Sequence, residues 1–542
     1  MAPMVANLND DDCDGDADED DIPDVVFNSF AGGNYSNDGV LRAVRGTDGA
    51  SVFDVTDPSL RTNPGSQVAI GDIDGDGWNE IVTCASDPSD NIGAVIAFNH
   101  DGTLLWRATD PRAECGMAAP ALADLDGDGN VEVIIHYTTL DGATGALEWH
   151  HDCVGTGGWA TSSHAPCDYT TAADLDGDGN LEVVGGNAAY RADGSIYYDR
   201  TADFLDGYPA IGDLDLDGRP EVLVIHSAFT PAPYAGEHFL RALNFDGTDL
   251  WGPFDLNAGL APAADIAANT VGGGGPPTIA NFDDDPEPEV ATAGAYAYAV
   301  FEGDGTRRWA SISDDRSSRK TGSSVFDFDG DGIAEAVYAD QYWLRVYDGP
   351  TGDVRFCFCN TSATLWEYPV IVDVDTDGHA EIVVASNNYA AAFTICSPTP
   401  DLGACENARL AAGENVGTNG IRVFASPTRD WVGTRRIWNQ HTYHVTNVSE
   451  RGEIPRRERA NWSVPGLNDF RLNVQPGATN LADLSPIDLA VDLTDCPTSM
   501  TLNFRIENRG WSASPAGAVI AVYVEYAGAF VLVTRVTTTR AL

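Results

Sequence analysis

The stretch Asp124–Ile134 reads D-L-D-G-D-G-N-V-E-V-I. Asp124, Asp126, Asp128 and Glu132 stand at positions 1, 3, 5 and 9 of the stretch, Gly129 stands at position 6, and an apolar run follows at once. Carboxylates packed this closely repel one another by several kcal/mol at low effective dielectric. The spacing therefore asks for a cation.

Side chains at 1, 3 and 5, a backbone carbonyl at 7 and a glycine at 6 that permits a sharp turn are the opening of an EF-hand calcium loop. Here the last acid falls at 9 rather than 12, so the loop is a shorter relative. A hard cation such as Ca²⁺ takes oxygen ligands of this kind.

The motif recurs in register. Further copies are Asp72, Asp74, Asp76 and Glu80; Asp174, Asp176, Asp178 and Glu182; Asp213, Asp215, Asp217 and Glu221; Asp327, Asp329, Asp331 and Glu335; and Asp373, Asp375, Asp377 and Glu381. A weaker copy has Asn281, Asp283, Asp285 and Glu289, with Pro286 in place of the glycine. At the N-terminus Asp16, Asp18, Asp20 and Asp24 fit the same spacing, beside an acidic run, D-D-D-C-D-G, that leaves the register open. A plain solvated Asp-Gly turn has no reason to keep an acid at position 9.

The eight copies step by about 51 residues, a period that with β patterning points to a propeller of four-stranded blades. A short apolar strand precedes each loop, as in Y-P-A-I-G-D (208–213), and a continuous apolar strand follows it, as in E-V-I-I (132–135). Such a run fits a strand covered on both faces. A hairpin with a glycine turn comes next and often closes on tryptophan, as in A-V-I-A-F-N-H-D-G-T-L-L-W (94–106). The closing aromatic is expected between blades. The expected fold is all-β: an eight-bladed propeller over residues 1–430, or seven-bladed if the first copy is an embellishment. The insertion at 261–277 reads as a surface loop and a candidate recognition element.

The repeated D-L-D-G-D-G-N-V-E-V-I stretch resembles the FG-GAP/VCBS repeat, a β-propeller unit also found in the integrin α-subunit head. The resemblance implies about six to eight structural calcium ions, bound by the acids named above. It also implies an adhesion or ligand-recognition role outside the cell, with an extracellular protein or polysaccharide as partner.

The balance of charge agrees. The chain has 542 residues, 83 acids against 30 bases and a net charge of −53, which argues against nucleic acid or an anionic membrane as partner. Its ten cysteines read as an oxidising, extracytoplasmic setting, with Cys153–Cys167 and Cys396–Cys405 spaced for local loops, although sequence alone does not assign pairings. No apolar stretch reaches the ~20 residues of a membrane span. The opening M-A-P-M-V-A-N-L-N-D-D is not a signal peptide, so a secretion signal and any anchor are expected outside this sequence.

Residues 431–480 change character. W-V-G-T-R-R-I-W-N-Q-H-T-Y-H-V-T-N-V (431–448), followed by Arg451, Arg456, Arg457 and Arg459, is expected to finish the last blade and wrap back onto the acidic propeller. His441 and His444 have no third metal ligand spaced near them. Residues 481–542 alternate at period 2 between turn residues. E-N-R-G-W-S-A-S-P (507–515) resembles a turn of bacterial CARDB-type adhesion domains, which implies a partial immunoglobulin-like β-sandwich.

No nucleophile elbow, H-E-x-x-H or P-loop is present. His150, His151, Asp152, Cys153, His164 and Cys167 could be read as a zinc cluster, but a disulfide-closed loop accounts for them better. Two enzymatic alternatives remain. One is a propeller polysaccharide lyase resembling the rhamnogalacturonan lyases, weakened by a single lysine, Lys320. The other, less favoured, is a quinoprotein dehydrogenase, which would use adjacent cysteines where this chain has Cys357-Phe358-Cys359. A pocket of converging His, Arg and Tyr side chains in the central channel would favour an enzyme; an open, mainly acidic channel would not.

Overall fold

The computed structural model describes the chain apart from residues 12, 14, 16, 18–20, 88, 90–91, 154–165, 227–237, 261–272, 397–402, 476–483, 493–500, 509–518, 527–528 and 539–542. Asp16, Asp18, Asp20, His164, Cys496 and most of the 261–277 insertion lie outside the described residues. Two compact units are present, Met1–Val474 and Gln475–Leu542.

The first unit is an eight-bladed propeller. Blade 1 is Met4–Ala6, Asp24–Ser29, Val40–Arg45 and Ser51–Asp54, hydrogen-bonded in that order from the axis outward. Six more four-stranded meanders repeat the pattern, with innermost strands Ala69–Gly71, Ala121–Ala123, Thr171–Ala173, Gly207–Gly212, Thr278–Ala280 and Ser323–Phe326. Blade 8 shows three strands among the described residues: Val370–Val372, Glu381–Ser386 and Gly420–Phe424. All pairing within a blade is antiparallel, as short connections require.

The ninth-position acid opens the second strand of every blade. Asp24, Glu80, Glu132, Glu182, Glu221, Glu289, Glu335 and Glu381 each pair across the ladder with the last residue of the innermost strand, as Glu80 does with Gly71. The acidic loop is therefore the link between the first two strands. All eight loops lie at the same end of the ring, together with the outer hairpin turns.

The second strands are buried on both faces, as in Glu221–His226, because they sit between neighbouring blades. Blades pack through flat apolar layers: Val82, Ala97 and Trp106 of blade 2 meet Leu122, Val133 and Leu140 of blade 3. Each fully buried aliphatic side chain contributes about 1.5–3 kcal/mol. The ring closes through one core in which Val25 and Leu41 of blade 1 join Val370 and Ile382 of blade 8.

The closing aromatics link the blades. Nε1 of Trp106 donates to Gly142 O at 2.7 Å, Trp149 to Ala192 O at 2.8 Å, Trp251 to Gly303 O and Trp309 to Gly349 O, both at 2.7 Å. In each case the acceptor lies on the next blade's outer hairpin. The same indole covers that hairpin's turn glycine: Gly145, at φ +68°, faces Trp106 with no room for a Cβ.

Four disulfides are formed: Cys84–Cys115, Cys153–Cys167, Cys357–Cys405 and Cys359–Cys396. The expected Cys396–Cys405 loop is not one of them. Cys357 and Cys359 are two apart in the strand Val354–Cys359, so both point to one face. Each reaches across to the blade 8 excursion that carries the helix Ala404–Ala411. Cys153 and Cys167 are likewise engaged with each other, and His150 and His151 bond Thr138 Oγ1 and Gly194 O, both at 2.8 Å, so the zinc reading has no ligand set.

In the second unit, Leu484–Asp492 pairs with Thr501–Asn508, and Val519–Tyr526 pairs with Ala529–Thr537, both antiparallel.

Candidate metal centres

Each acidic loop folds around its own backbone. In blade 2, Asp72 accepts from Gly75 N at 2.7 Å and Gly77 N at 3.1 Å, Asp74 from Asp76 N at 3.2 Å, and Asp76 from Trp78 N at 2.9 Å. Glu80 accepts from Ile73 N at 3.1 Å. The ninth-position bond recurs in six more blades: Leu125 N to Glu132, Leu175 N to Glu182, Leu214 N to Glu221, Phe282 N to Glu289, Phe328 N to Glu335 and Val374 N to Glu381, at 2.6 to 3.1 Å. Acid 9 therefore orients the loop as well as offering its other oxygen.

The convergence is close. One carboxylate oxygen from each of Asp72, Asp74, Asp76 and Glu80 lies within 4.8 Å of the others, and the same holds for Asp124, Asp126 and Asp128; Asp174, Asp176 and Glu182; and Asp213, Asp215 and Glu221. The remaining acids, Asp178 and Asp217, cap the next residues' amides in the same loops. These clusters could hold metal ions, and their all-oxygen donor sets suit a hard cation.

Their protonation shows the tension. Burial, with Asp72, Asp74 and Asp76 adding like charge, pushes Glu80 up to about 9. Burial likewise pushes Glu132, Glu182, Glu221, Glu289 and Glu381 up to about 8. These groups sit at 0–6% exposure without enough positive charge beside them. A divalent ion would supply it.

Blades 6 and 7 differ. In blade 6, Asp283, Asp285 and Glu289 converge with Glu302, an acid from the outer hairpin that the repeat pattern did not reveal. Arg308 pairs with both Asp283 and Glu302. Pro286 has no N–H, so the bond that a first-position Asp accepts from residue 6 is missing there; Asn281 instead donates to Asp285 O at 3.0 Å. In blade 7, Arg355 pairs with Glu335 and, at 2.8 Å, with Asp329, and Glu335 rises only to about 7. Its other acids, Asp327 and Asp331, accept from Gly330, Gly332 and Ile333 amides as in blade 2. In blade 8, Arg436 reaches Asp373 at 3.5 Å and Arg429 reaches Asp377 at 3.3 Å, while Asp375 caps Asp377 N.

The first repeat sits in a longer loop. Asp24 opens its strand and is buried, as acid 9 should be. Asp10 accepts from Cys13 N at 2.5 Å and Gly15 N at 3.0 Å, the i+3 and i+5 amides that Asp72 takes from Gly75 and Gly77. Asp10 thus has first-position geometry. Its signal in sequence was Gly15, five residues on, within the acidic run.

The 431–474 segment does more than wrap. Trp438 exchanges backbone bonds with Val5 at 2.8 and 2.9 Å, Asn439 with Ile70, and the Gln440 amide with both backbone groups of Leu122. Phe470 exchanges bonds with Ile279, Arg471 O accepts from Val325 N, and Asn473 donates to Ile371 O. The inner edges of blades 1, 2, 3, 6, 7 and 8 are thereby satisfied, as exposed strand edges must be. Around the axis, Tyr169, Tyr208, Trp366, Tyr368, His441 and Arg471 are all at most 1% exposed. His, Arg and Tyr side chains do converge there, and those named are buried. Outward from the axis, Arg456 donates to Gly127 O at 2.8 Å and Arg457 to Gly179 O at 3.3 Å, resting on the loops of blades 3 and 4.

An eight-bladed propeller with an acidic loop in every blade is the class that this geometry defines. Residues 72–135 match the FG-GAP-like repeat family. Among solved structures, the chain is similar to the V. cholerae biofilm matrix protein Bap1, at 21% identity and a TM-score of 0.68, over 88% of this chain and 96% of that one. It is more distantly similar to rhamnogalacturonan lyases YesW and YesX, each at 18% identity and a TM-score of 0.47, over 71% of this chain and 70% of theirs. No curated protein matches. No described helix is long and apolar enough to cross a membrane.

Proposed function

We propose that the chain is a calcium-loaded propeller that acts outside the cell in adhesion or ligand recognition, on a protein or polysaccharide partner. The observation that carries the calcium reading is the buried acid at the ninth position of every blade, joined in the described loops of blades 2 to 6 by converging carboxylates. When bound, calcium would neutralise the clustered carboxylates and pin the link between the first two strands of a blade. Asp72, Asp74, Asp76 and Glu80, with their counterparts in the other blades, would hold it.

The four disulfides support an oxidising compartment. Burial of the described axial side chains Tyr169, Tyr208, His441 and Arg471 supports a binding role more than catalysis at the axis. Likeness to a biofilm matrix protein fits the same reading. We further propose that residues 481–542 form part of a sandwich domain appended to the propeller.

The test is a calcium count by mass spectrometry beside a thermal melt with and without EGTA. About six to eight bound ions and a large loss of stability in EGTA are expected. No bound ion and no shift would overturn the reading.

A further inference from the structure

At the end of the propeller opposite the acidic loops, a cleft of about 620 Å³ opens between blades 8 and 1. That volume suits a small ligand of one or a few rings. Its upper wall is aromatic. Phe30 meets Tyr389 edge-on at 5.6 Å, and Tyr35 lies 6.0 Å from Tyr389. Tyr35 and Tyr389 are 39% and 40% exposed, the only exposed tyrosines among the described residues, and they share this one cleft.

The floor is polar and ordered. Asn387 donates to Ser362 Oγ at 2.8 Å and accepts from Ala363 N at 3.0 Å; Ser362 in turn donates to Glu367, whose second oxygen accepts from Leu365 N at 2.6 Å. Asn28 is 7% exposed and lines the same cleft. Its amide nitrogen donates to Ser66 O at 3.2 Å and Thr83 Oγ1 at 2.9 Å. A carbonyl only accepts, so the amide's orientation is set. Asn28 Oδ1 is then a buried acceptor with no hydrogen-bond partner in the protein.

The chemistry excludes most ligands. No arginine or lysine side chain lines the cleft, and the chain carries a net charge of −53, so phosphate, sulfate and uronate groups find no side-chain counter-charge. Hydroxyl groups, which both donate and accept, suit the neutral amide and hydroxyl side chains of Asn387, Asn388 and Ser386. A face of weakly positive C–H groups matches the negative faces of exposed tyrosine rings. One ligand class has both.

We propose that this cleft binds a neutral saccharide, with a C–H face on Tyr35 and Tyr389 and hydroxyls on the neutral polar side chains beside them, Asn387, Asn388 and Ser386. The proposal names a ligand class for the recognition role above and rests on that role, but not on calcium. The test uses the full chain and calorimetric titration with neutral gluco-, galacto- and manno-oligosaccharides of two to six units. Oligogalacturonate, chondroitin sulfate and a mixed-sequence peptide pool serve as counterparts. Binding of a neutral oligosaccharide is expected, weakened at least tenfold by Tyr389→Ala and by Tyr35→Ala with the melting temperature unchanged. Both tyrosines are exposed, so folding is not at stake. Neutral sugars failing to bind at millimolar concentration, binding confined to the anionic or peptide ligands, or affinity unchanged in both variants would each overturn it. Saccharide binding in a protein that proves free of calcium would sink the metal reading and leave this one standing.

Discussion

The acidic loops of blades 2, 3 and 5 and those of blades 6 and 7 share a backbone but not a counter-ion. In the first group no arginine or lysine pairs with the clustered acids among the described residues, and the ninth-position glutamates rise to about 8 or 9. In the second group a guanidinium from the outer strand, Arg308 or Arg355, lies among the acids; Glu335 then rises only to about 7, while Glu289, which Arg308 does not pair directly, still rises to about 8. The two groups therefore differ in whether the chain itself brings a cation to the clustered acids. Blade 4 falls between, since Arg191 stands 3.8 Å from Asp176.

The largest expected effect concerns the ion-dependent blades. Chelation should lower the melting temperature by about 10 °C or more, because each site held at 100 times its dissociation constant contributes about 2.7 kcal/mol. A melt that does not move in EGTA would abolish the distinction between the two groups.

Single-site changes should then separate them. Glu80→Gln should cost about 2–3 kcal/mol in calcium, through loss of one site, and be near neutral in EGTA, where burial already keeps that carboxyl protonated below about pH 9. Glu335→Gln should destabilise in EGTA, because it strips a partner from Arg355. Chemical denaturation in both buffers reads this, and equal responses would break the comparison.

A subtler effect is on affinity. Arg355→Ala should tighten calcium binding in blade 7 by about tenfold, roughly 1.4 kcal/mol. Titration of the native chain should resolve a tight class of sites from a weaker one. A single class, unchanged by Arg355→Ala, would show that the arginine does not compete with the ion.

A pH effect is expected at the axis, away from the acidic loops. Lys320 donates to Tyr208 at 3.0 Å, and burial pulls its ammonium down to about 7. The unfolded chain keeps that proton up to about 10.5, so this group's contribution to stability is present above that value and is lost as pH falls through about 7. Lys320→Met should flatten the rise in stability between pH 7 and 10.5, equally with and without EGTA. A slope unchanged by the substitution would show that Lys320 titrates normally in the fold.

Much of this was legible before any coordinates. The 1-3-5-9 spacing is read within nine residues, and the link it makes between two strands is local, so loop, strand order and blade count all followed from it. The tryptophan that closes four of the hairpins carried its contact with the next blade in the same way. Elsewhere local reading fell short for identifiable reasons. Asp10 was overlooked because an insertion separates it from Asp24, and a fixed spacing cannot span an insertion. Glu302, Arg308 and Arg355 join their clusters from neighbouring strands, which only pairing across the sheet brings near. Cys396 and Cys405 are close in sequence but bond elsewhere, since a strand's period of two turns Cys357 and Cys359 toward them together.

By itself the sequence determined a ring of acidic-looped β-meanders, because hydrogen-bonded turns and apolar alternation are properties of short segments. What fills the ring's axis, which blades carry their own cation, and the cleft where Tyr35 meets Tyr389 were decided only by the tertiary structure. The axis and the cleft join residues hundreds of positions apart, the cleft through closure of blade 8 onto blade 1, while Arg308 and Arg355 meet their acids through strand pairing within one blade.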